Sequence, residues 1–252
     1  MKAIASLSAF SLSTLLSLPA LAVPGIDFTV TASQWQADYS GEVGQGDNTA
    51  TLDQLGFDEE DHTVITAVLK HPVPLVPNIR LQRTELAADA NGTLEASLEV
   101  EGTTFTASEA VATELDLSHT DFTLFYSPLN NWVKLDLGLT ARNFDGNAEV
   151  VGSTEQAQAE IDGWLPLLYG GVRFELPLTG LYLDGTLNVI NYDGSGVTDF
   201  TAGIGYITNG LGVDFVAELG LRSFSLKIDD DGEEVEGNID IDGLYLSLGL
   251  KF

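Results

Sequence analysis

The segment Leu117-Ser118-His119-Thr120-Asp121-Phe122 holds the best acid–base arrangement in the 252-residue chain. Successive side chains on a β-strand point to opposite faces, so His119 and Asp121 share a side and could move a proton together. Ser118, the neighbouring hydroxyl, faces the other way, and a nucleophile would have to come from another strand. The simpler reading of His119 and Asp121 is a hydrogen-bonded pair near one rim of a sheet. The other histidines are His62 and His71. With no cysteine in the chain, thiolate metal sites and disulfides are excluded. The run DDDGEEVEGNIDID (229–242) lacks the ligand spacing of a calcium-binding loop. No metal site and no cofactor is expected, beyond weak binding of divalent cations by clustered carboxylates.

The elements that must position these groups have a period of two. IDFTVTAS places Ile26, Phe28, Val30 and Ala32 on one side, with Asp27, Thr29, Thr31 and Ser33 on the other. Similar strands are expected at 62–71, 78–86, 121–127 (continuing back through 111–120), 132–144, 167–176, 181–192, 197–207, 212–228 and 235–252. The last, ending GLYLSLGLKF, runs its Leu/Phe stripe to the final residue, Phe252. Short turns, PVPLVP (72–77), PLNN (128–131), PLTG (177–180) and TNGL (208–211), alternate with longer acidic connectors. TLDQLGFDEED (51–61) is expected to form a short helical turn, with Leu52, Leu55 and Phe57 as an apolar cap over or partly inside one mouth. TLEASLEVEGTTFTAS (93–108) is expected to extend strands three and four as a hairpin beyond the membrane. If it enters the membrane instead, the strand count rises from ten to twelve.

Charge placement gives the sheet its context. The formal charge is −28, from 38 acidic against 10 basic residues, which excludes nucleic-acid binding by an exposed basic face. Of the acids, 31 fall in five windows, 36–62, 85–120, 145–163, 193–199 and 229–242, that contain no Lys or Arg. The bases lie between these windows. The N-terminal MKAIASLSAFSLSTLLSLPALA has one lysine, a short apolar run and a small-x-small ending, the pattern of a cleaved signal peptide at 1–22. The mature domain is then 23–252. Even strand number, short turns on one side and long acidic loops on the other describe an all-β, antiparallel, up-and-down transmembrane barrel. Such a sheet must close, because no open edge survives in hydrocarbon. Both termini are expected on the periplasmic side of a Gram-negative outer membrane.

With the apolar phase turned to lipid, the lumen receives Lys134, Asp136, Arg142, Arg173, Glu175, Asp184, Asp214, Glu218, Arg222 and Lys251. A barrel of this size is nearly filled by its own side chains. These charges are therefore expected to pair and brace the wall, or, alternatively, to line a selective path or small-molecule site. The expected function is a structural or narrow-channel barrel with acidic extracellular loops. The alternatives are a barrel-embedded hydrolase using His119 and Asp121 on lipid or peptide, and a surface protein for adhesion or ligand binding. Expected partners are outer-membrane lipids and lipopolysaccharide, reached through bridging cations. The barrel assembly machinery is a further partner, since the pattern Tyr245, Leu248, Leu250, Phe252 resembles the terminal signal it reads.

LDLSHTDFTLFYSPLNNWVKLDLGLTARNFDG (115–146), YGGVRFELP (169–177), the leader and the Phe-terminated last strand together resemble a Gram-negative outer-membrane barrel family named for a Gly-Gly pair, here Gly170-Gly171. The resemblance implies fold and location and assigns no activity. Physically, the paired glycines leave room for a bulky neighbour, Tyr182 or Trp164, or allow a bend in the strand.

Overall fold

The computed structural model describes residues 25–208, 210, 212–228 and 236–252. The expected leader at 1–22 and residues 229–235 of the acidic run lie outside the described residues. The strands are β1 (Asp27–Gln45), β2 (Asn48–Thr51), β3 (Glu60–Lys70), β4 (Asn78–Thr84), β5 (Ala87–Thr93), β6 (Leu98–Val100), β7 (Thr103–Phe105), β8 (Ala110–Asp116), β9 (His119–Asn130), β10 (Val133–Val151), β11 (Gln156–Glu175), β12 (Leu181–Tyr192), β13 (Ser195–Ile207), β14 (Asp214–Ile228) and β15 (Glu236–Lys251).

Ten of these strands close a barrel in the order β1-β3-β4-β9-β10-β11-β12-β13-β14-β15, each antiparallel to its neighbours. The seam joins the ends of the chain, from Thr29 opposite Lys251 to Gly44 opposite Glu236. Phe252 continues it: Phe28 N–H donates to Phe252 O at 3.2 Å and Phe252 N–H to Phe28 O at 2.8 Å. The last residue is thus held by the first strand and closes the wall. The hairpin at 93–108 does not enter the wall. β5 and β8 continue β4 and β9 beyond the barrel, and β6 and β7 form a separate two-stranded sheet. The barrel therefore has ten strands.

The wall is longer than the membrane-patterned stretches. β1 continues from Ser33 to Gln45, β10 reaches Val151, and β11 begins at Gln156. The apolar side changes along the long strands β1 and β15. On β15, Leu244, Leu246 and Leu248 face outward, whereas the buried Ile239 and Ile241 face inward. On β1, Phe28, Val30 and Ala32 belong to the outer face, and Trp35, Ala37 and Tyr39 are buried inside. Backbone parity is unchanged; the surroundings differ. Beside hydrocarbon the outer face is apolar and the interior polar, and beyond it the strand follows the usual rule of apolar inside.

The inward apolar residues of the loop end form one core with the connectors. Leu52, Leu55 and Phe57 are buried there, with Leu86, Leu94, Leu98, Phe105 and Leu117. The 51–57 segment makes the expected turn, closed by Leu55 N–H to Thr51 O at 3.1 Å and Phe57 N–H to Leu52 O at 3.0 Å. It caps the loop end of the barrel.

Candidate functional site: a buried charge layer above a polar lumen

Where the outer apolar belt ends, at Ala141 on β10 and Leu221 on β14, the next inward residues are Arg142 and Arg222. Arg142 is fully buried. Its Nε donates to Asp121 Oδ1 and its Nη2 to Asp121 Oδ2, both at 2.7 Å, and Nη2 also reaches Asp199 Oδ2 at 2.6 Å. Arg222 donates to the same Asp199, from Nε to Oδ1 at 3.0 Å and from Nη2 to Oδ2 at 2.8 Å, and its Nη2 donates to Thr84 Oγ1 at 3.3 Å. Two guanidiniums and two carboxylates form a neutral layer tied to β4, β9, β10, β13 and β14. Charges taken from water are tolerated only when compensated in this way.

Aromatic faces pack against the layer. Arg222 lies over Trp35 at 4.6 Å, and Arg142 over Phe224 and Phe144 at 5.7 and 5.9 Å. His119 stacks on Phe224 with ring centroids 5.8 Å apart. Its Nδ1 donates to Leu117 O at 2.8 Å. His119, Asp121 and Asp199 bring donor atoms within 4.8 Å of one another. All four carboxylate oxygens already accept from guanidinium groups, and two adjacent cations oppose a third. This donor set therefore fits an ion-pair lock better than a metal. The Ser118 hydroxyl accepts from Leu86 N–H at 3.0 Å.

Between this layer and the short turns lies a cavity of about 200 Å³, lined by polar side chains including Thr29, Thr31, Lys70, Arg80, Asp184 and Glu218. Most of the expected lumen charges are braced in pairs: Lys134 with Glu175, and Arg173 with Asp184 at 2.8 Å. Asp136 pairs with Lys70 at 2.8 Å and Lys251 with Asp27 at 3.3 Å. Two residues depart from mutual pairing. Glu218 accepts from the hydroxyls of Tyr182 at 2.7 Å and Tyr245 at 2.5 Å, and Asp214 accepts from Gly210 N–H at 2.6 Å beside the turn. The tyrosines reach Glu218 because glycines make room: a Cβ at Gly205 would lie 2.1 Å from Tyr182 Cζ, and one at Gly220 would lie 2.7 Å from the Tyr245 ring. Arg80 is held by Gln82 and lies over Tyr169 at 5.9 Å.

Of the Gly170-Gly171 pair, Gly171 leaves the expected room, but for another neighbour. Gly170 faces outward with open space beyond it, and Gly171 makes room for the Tyr169 hydroxyl and the Asp136 Cβ. Neither Tyr182 nor Trp164 is their neighbour. Among the assembly-signal residues, Tyr245 faces the lumen, Leu248 faces outward and Phe252 is bonded to Phe28.

Sequence reasoning did not place Asp199, Lys70, Arg80, Tyr169 or Tyr182 in the lumen. The signal for Asp199 was present, since Phe200, Ala202, Ile204 and Tyr206 face outward and alternation then turns Asp199 inward. Ile65, Ala67 and Leu69 place Lys70 inside by the same rule.

No protein-family model and no curated protein matches the sequence. Solved structures with a similar chain course include the outer-membrane protease OmpT from Escherichia coli, with TM-score 0.46, 11% identity, and coverage of 91% of this chain and 96% of that one. The transport unit of the autotransporter AIDA-I from Escherichia coli gives TM-score 0.38, 14% identity, and coverage of 95% and 94%. The monoaromatic hydrocarbon channel CymD gives 0.32, 8%, and coverage of 90% and 88%. The chain has the fold of an outer-membrane type of β-barrel: closed, ten-stranded and antiparallel, with its apolar face outward.

Proposed function

We propose that the protein is a structural barrel of the Gram-negative outer membrane whose lumen is blind rather than a through-channel. The observation that carries this reading is the layer of Arg142, Asp121, Asp199 and Arg222, buried at 0–3% side-chain exposure and overlain by the apolar core of the loop end. A narrow channel would require this layer to part, which would separate buried, mutually compensating charges. The membrane placement is supported by the outward belt, in which Leu139, Leu219, Leu246 and Leu248 are each more than half exposed. A surface of that size is otherwise an aggregation hazard.

On this reading the termini and short turns face the periplasm and the acidic loops face outward, where divalent cations link them to lipopolysaccharide phosphates. The strand ending Tyr245, Leu248, Leu250, Phe252 serves the assembly machinery as its terminal signal. Kinship with the Gly-Gly family goes with this reading.

The test uses Thr29, a luminal residue opposite Lys251 near the turn end. Since the chain has no cysteine, Thr29→Cys offers one thiol. A polyethylene-glycol maleimide too large for general porins should leave it unlabelled in intact cells and label it once the periplasm is opened. Labelling in intact cells would overturn the blind lumen, and no labelling in opened cells would overturn the periplasmic mouth.

A further inference from the structure

Three of the short turns end in apolar side chains with no protein over them. Leu75 is 92% exposed and Leu178 is 105% exposed, and Val73, Val76, Leu129 and Trp132 are each about half exposed or more. Leu75 and Leu178 both hold φ of 66°. Glycine or asparagine takes that left-handed conformation at lower cost, and water favours a polar residue at a turn tip. Leucine runs against both preferences at both sites.

Much of the backbone here is also satisfied without water. Pro72, Pro74 and Pro77 carry no N–H. His71 N–H donates to Asn78 Oδ1 at 3.0 Å, Val73 N–H to His71 Nδ1 at 3.2 Å, and His71 Nε2 to Pro77 O at 3.0 Å. The Leu75 carbonyl accepts from the Tyr126 hydroxyl at 2.9 Å. In the turn bearing Leu178, Leu176 N–H donates to Leu181 O at 2.8 Å. Thr179 Oγ1 donates to Leu176 O at 2.8 Å and accepts from Leu181 N–H at 3.1 Å. Side chains supply partners that solvent supplies to an ordinary turn, as backbone in contact with lipid requires.

The belt itself is short. On β10 its outward residues run from Val133 to Ala141 and on β15 from Leu244 toward Phe252. With the usual rise and tilt of barrel strands, this spans about 20 Å against the roughly 25 Å band of such barrels. Apolar tips continuing the belt at the turn end supply the difference. We infer that the turn tips carrying Leu75, Leu129, Trp132 and Leu178 are immersed in the lipid interface of one leaflet, with lipid chains as their partner. This rests on the membrane-spanning reading above.

Single-cysteine variants test the two separately. Leu178→Cys at the tip, Leu246→Cys in the belt and Gln158→Cys at the loop end would each carry an environment-sensitive fluorophore, in phosphatidylcholine vesicles. The tip and belt labels should both be quenched by lipid-borne nitroxide and be several-fold less accessible to aqueous iodide than the label at 158. A tip label resembling 158 beside a lipid-quenched belt label overturns the inference alone and leaves these leucines as a surface for a protein partner. Iodide access at both 178 and 246 overturns the membrane reading itself. In the double variant Leu75→Asn/Leu178→Asn, loss of lipid contact should lower the folding equilibrium constant in vesicles roughly tenfold. Relief of the left-handed strain acting alone would raise it a few-fold. A rise, or no change, overturns the inference.

Discussion

The turn end and the loop end of the barrel are built from the same strands but fill their interiors differently. At the turn end the interior is polar: Lys134 with Glu175 and Arg173 with Asp184 join neighbouring strands, Lys70 with Asp136 reaches past β4 and β9, and a cavity of about 200 Å³ remains. At the loop end Trp35, Phe224, Ile241, Leu98 and Phe105 are buried in a packed core. The connectors differ in the same sense. Three of the four short turns contain proline and carry exposed apolar residues, and the loops carry most of the acidic residues. A barrel wall does not dictate which face is apolar; the medium beside each segment does. The Arg142–Asp121–Asp199–Arg222 layer lies where one regime gives way to the other.

The largest effect is expected from breaking that boundary. Arg142→Ala leaves Asp121 with no cation and Asp199 with only Arg222, and should cost about 3–5 kcal/mol, the range for a buried ion pair that loses one partner. Urea titration of the protein folded into vesicles reads the loss. Next is Leu98→Ala, which removes a fully buried side chain from the loop-end core and should cost about 2–4 kcal/mol there. Limited proteolysis should then cut within 94–109 while the membrane-protected fragment stays intact. The corresponding change at the turn end is much milder. Lys134→Ala breaks a bridge whose side chains are 23% and 37% exposed, and should cost under about 1 kcal/mol in the same titration.

How far these regions were legible in the sequence follows the same division. Where one face meets lipid, alternation is strict, and β12 was expected at 181–192 and lies there. β1 was expected to stop at Ser33, because at Trp35 the apolar residues move to the inner face and the pattern ceases to look like a belt. β11 begins at Gln156 rather than 167 for the same reason. The cap of Leu52, Leu55 and Phe57 was legible because its apolar residues stand out in an acidic loop. The charge layer was half legible, through Arg142, Arg222 and Asp121, and incomplete because Asp199 fell in an acidic window. Glu218 between two tyrosine hydroxyls was not legible. It depends on the register across β12, β13, β14 and β15, and on glycines opposite the rings.

The smallest effect concerns acid. Glu109 accepts from the backbone and side chain of Ser153 and from Thr106, which hold its carboxyl down at about 2. A carboxylate lowered in the folded state stabilises above its ordinary value of 4.5, and the contribution disappears as pH falls toward about 2. The protection factors of the Thr106 and Ser153 amides, corrected for intrinsic exchange, should therefore fall between roughly pH 4.5 and pH 2. In Glu109→Gln they should already be low at neutral pH. The turn end, which lacks this contact, should not change in step with it.

The central claim is that a buried Arg–Asp layer and an apolar core close the barrel between its two ends. Conductance of the wild-type protein in planar bilayers tests it most directly. A blind lumen predicts no discrete current steps across voltages and salt concentrations under conditions where insertion is verified independently. Stable unitary steps from the wild-type chain would contradict the account.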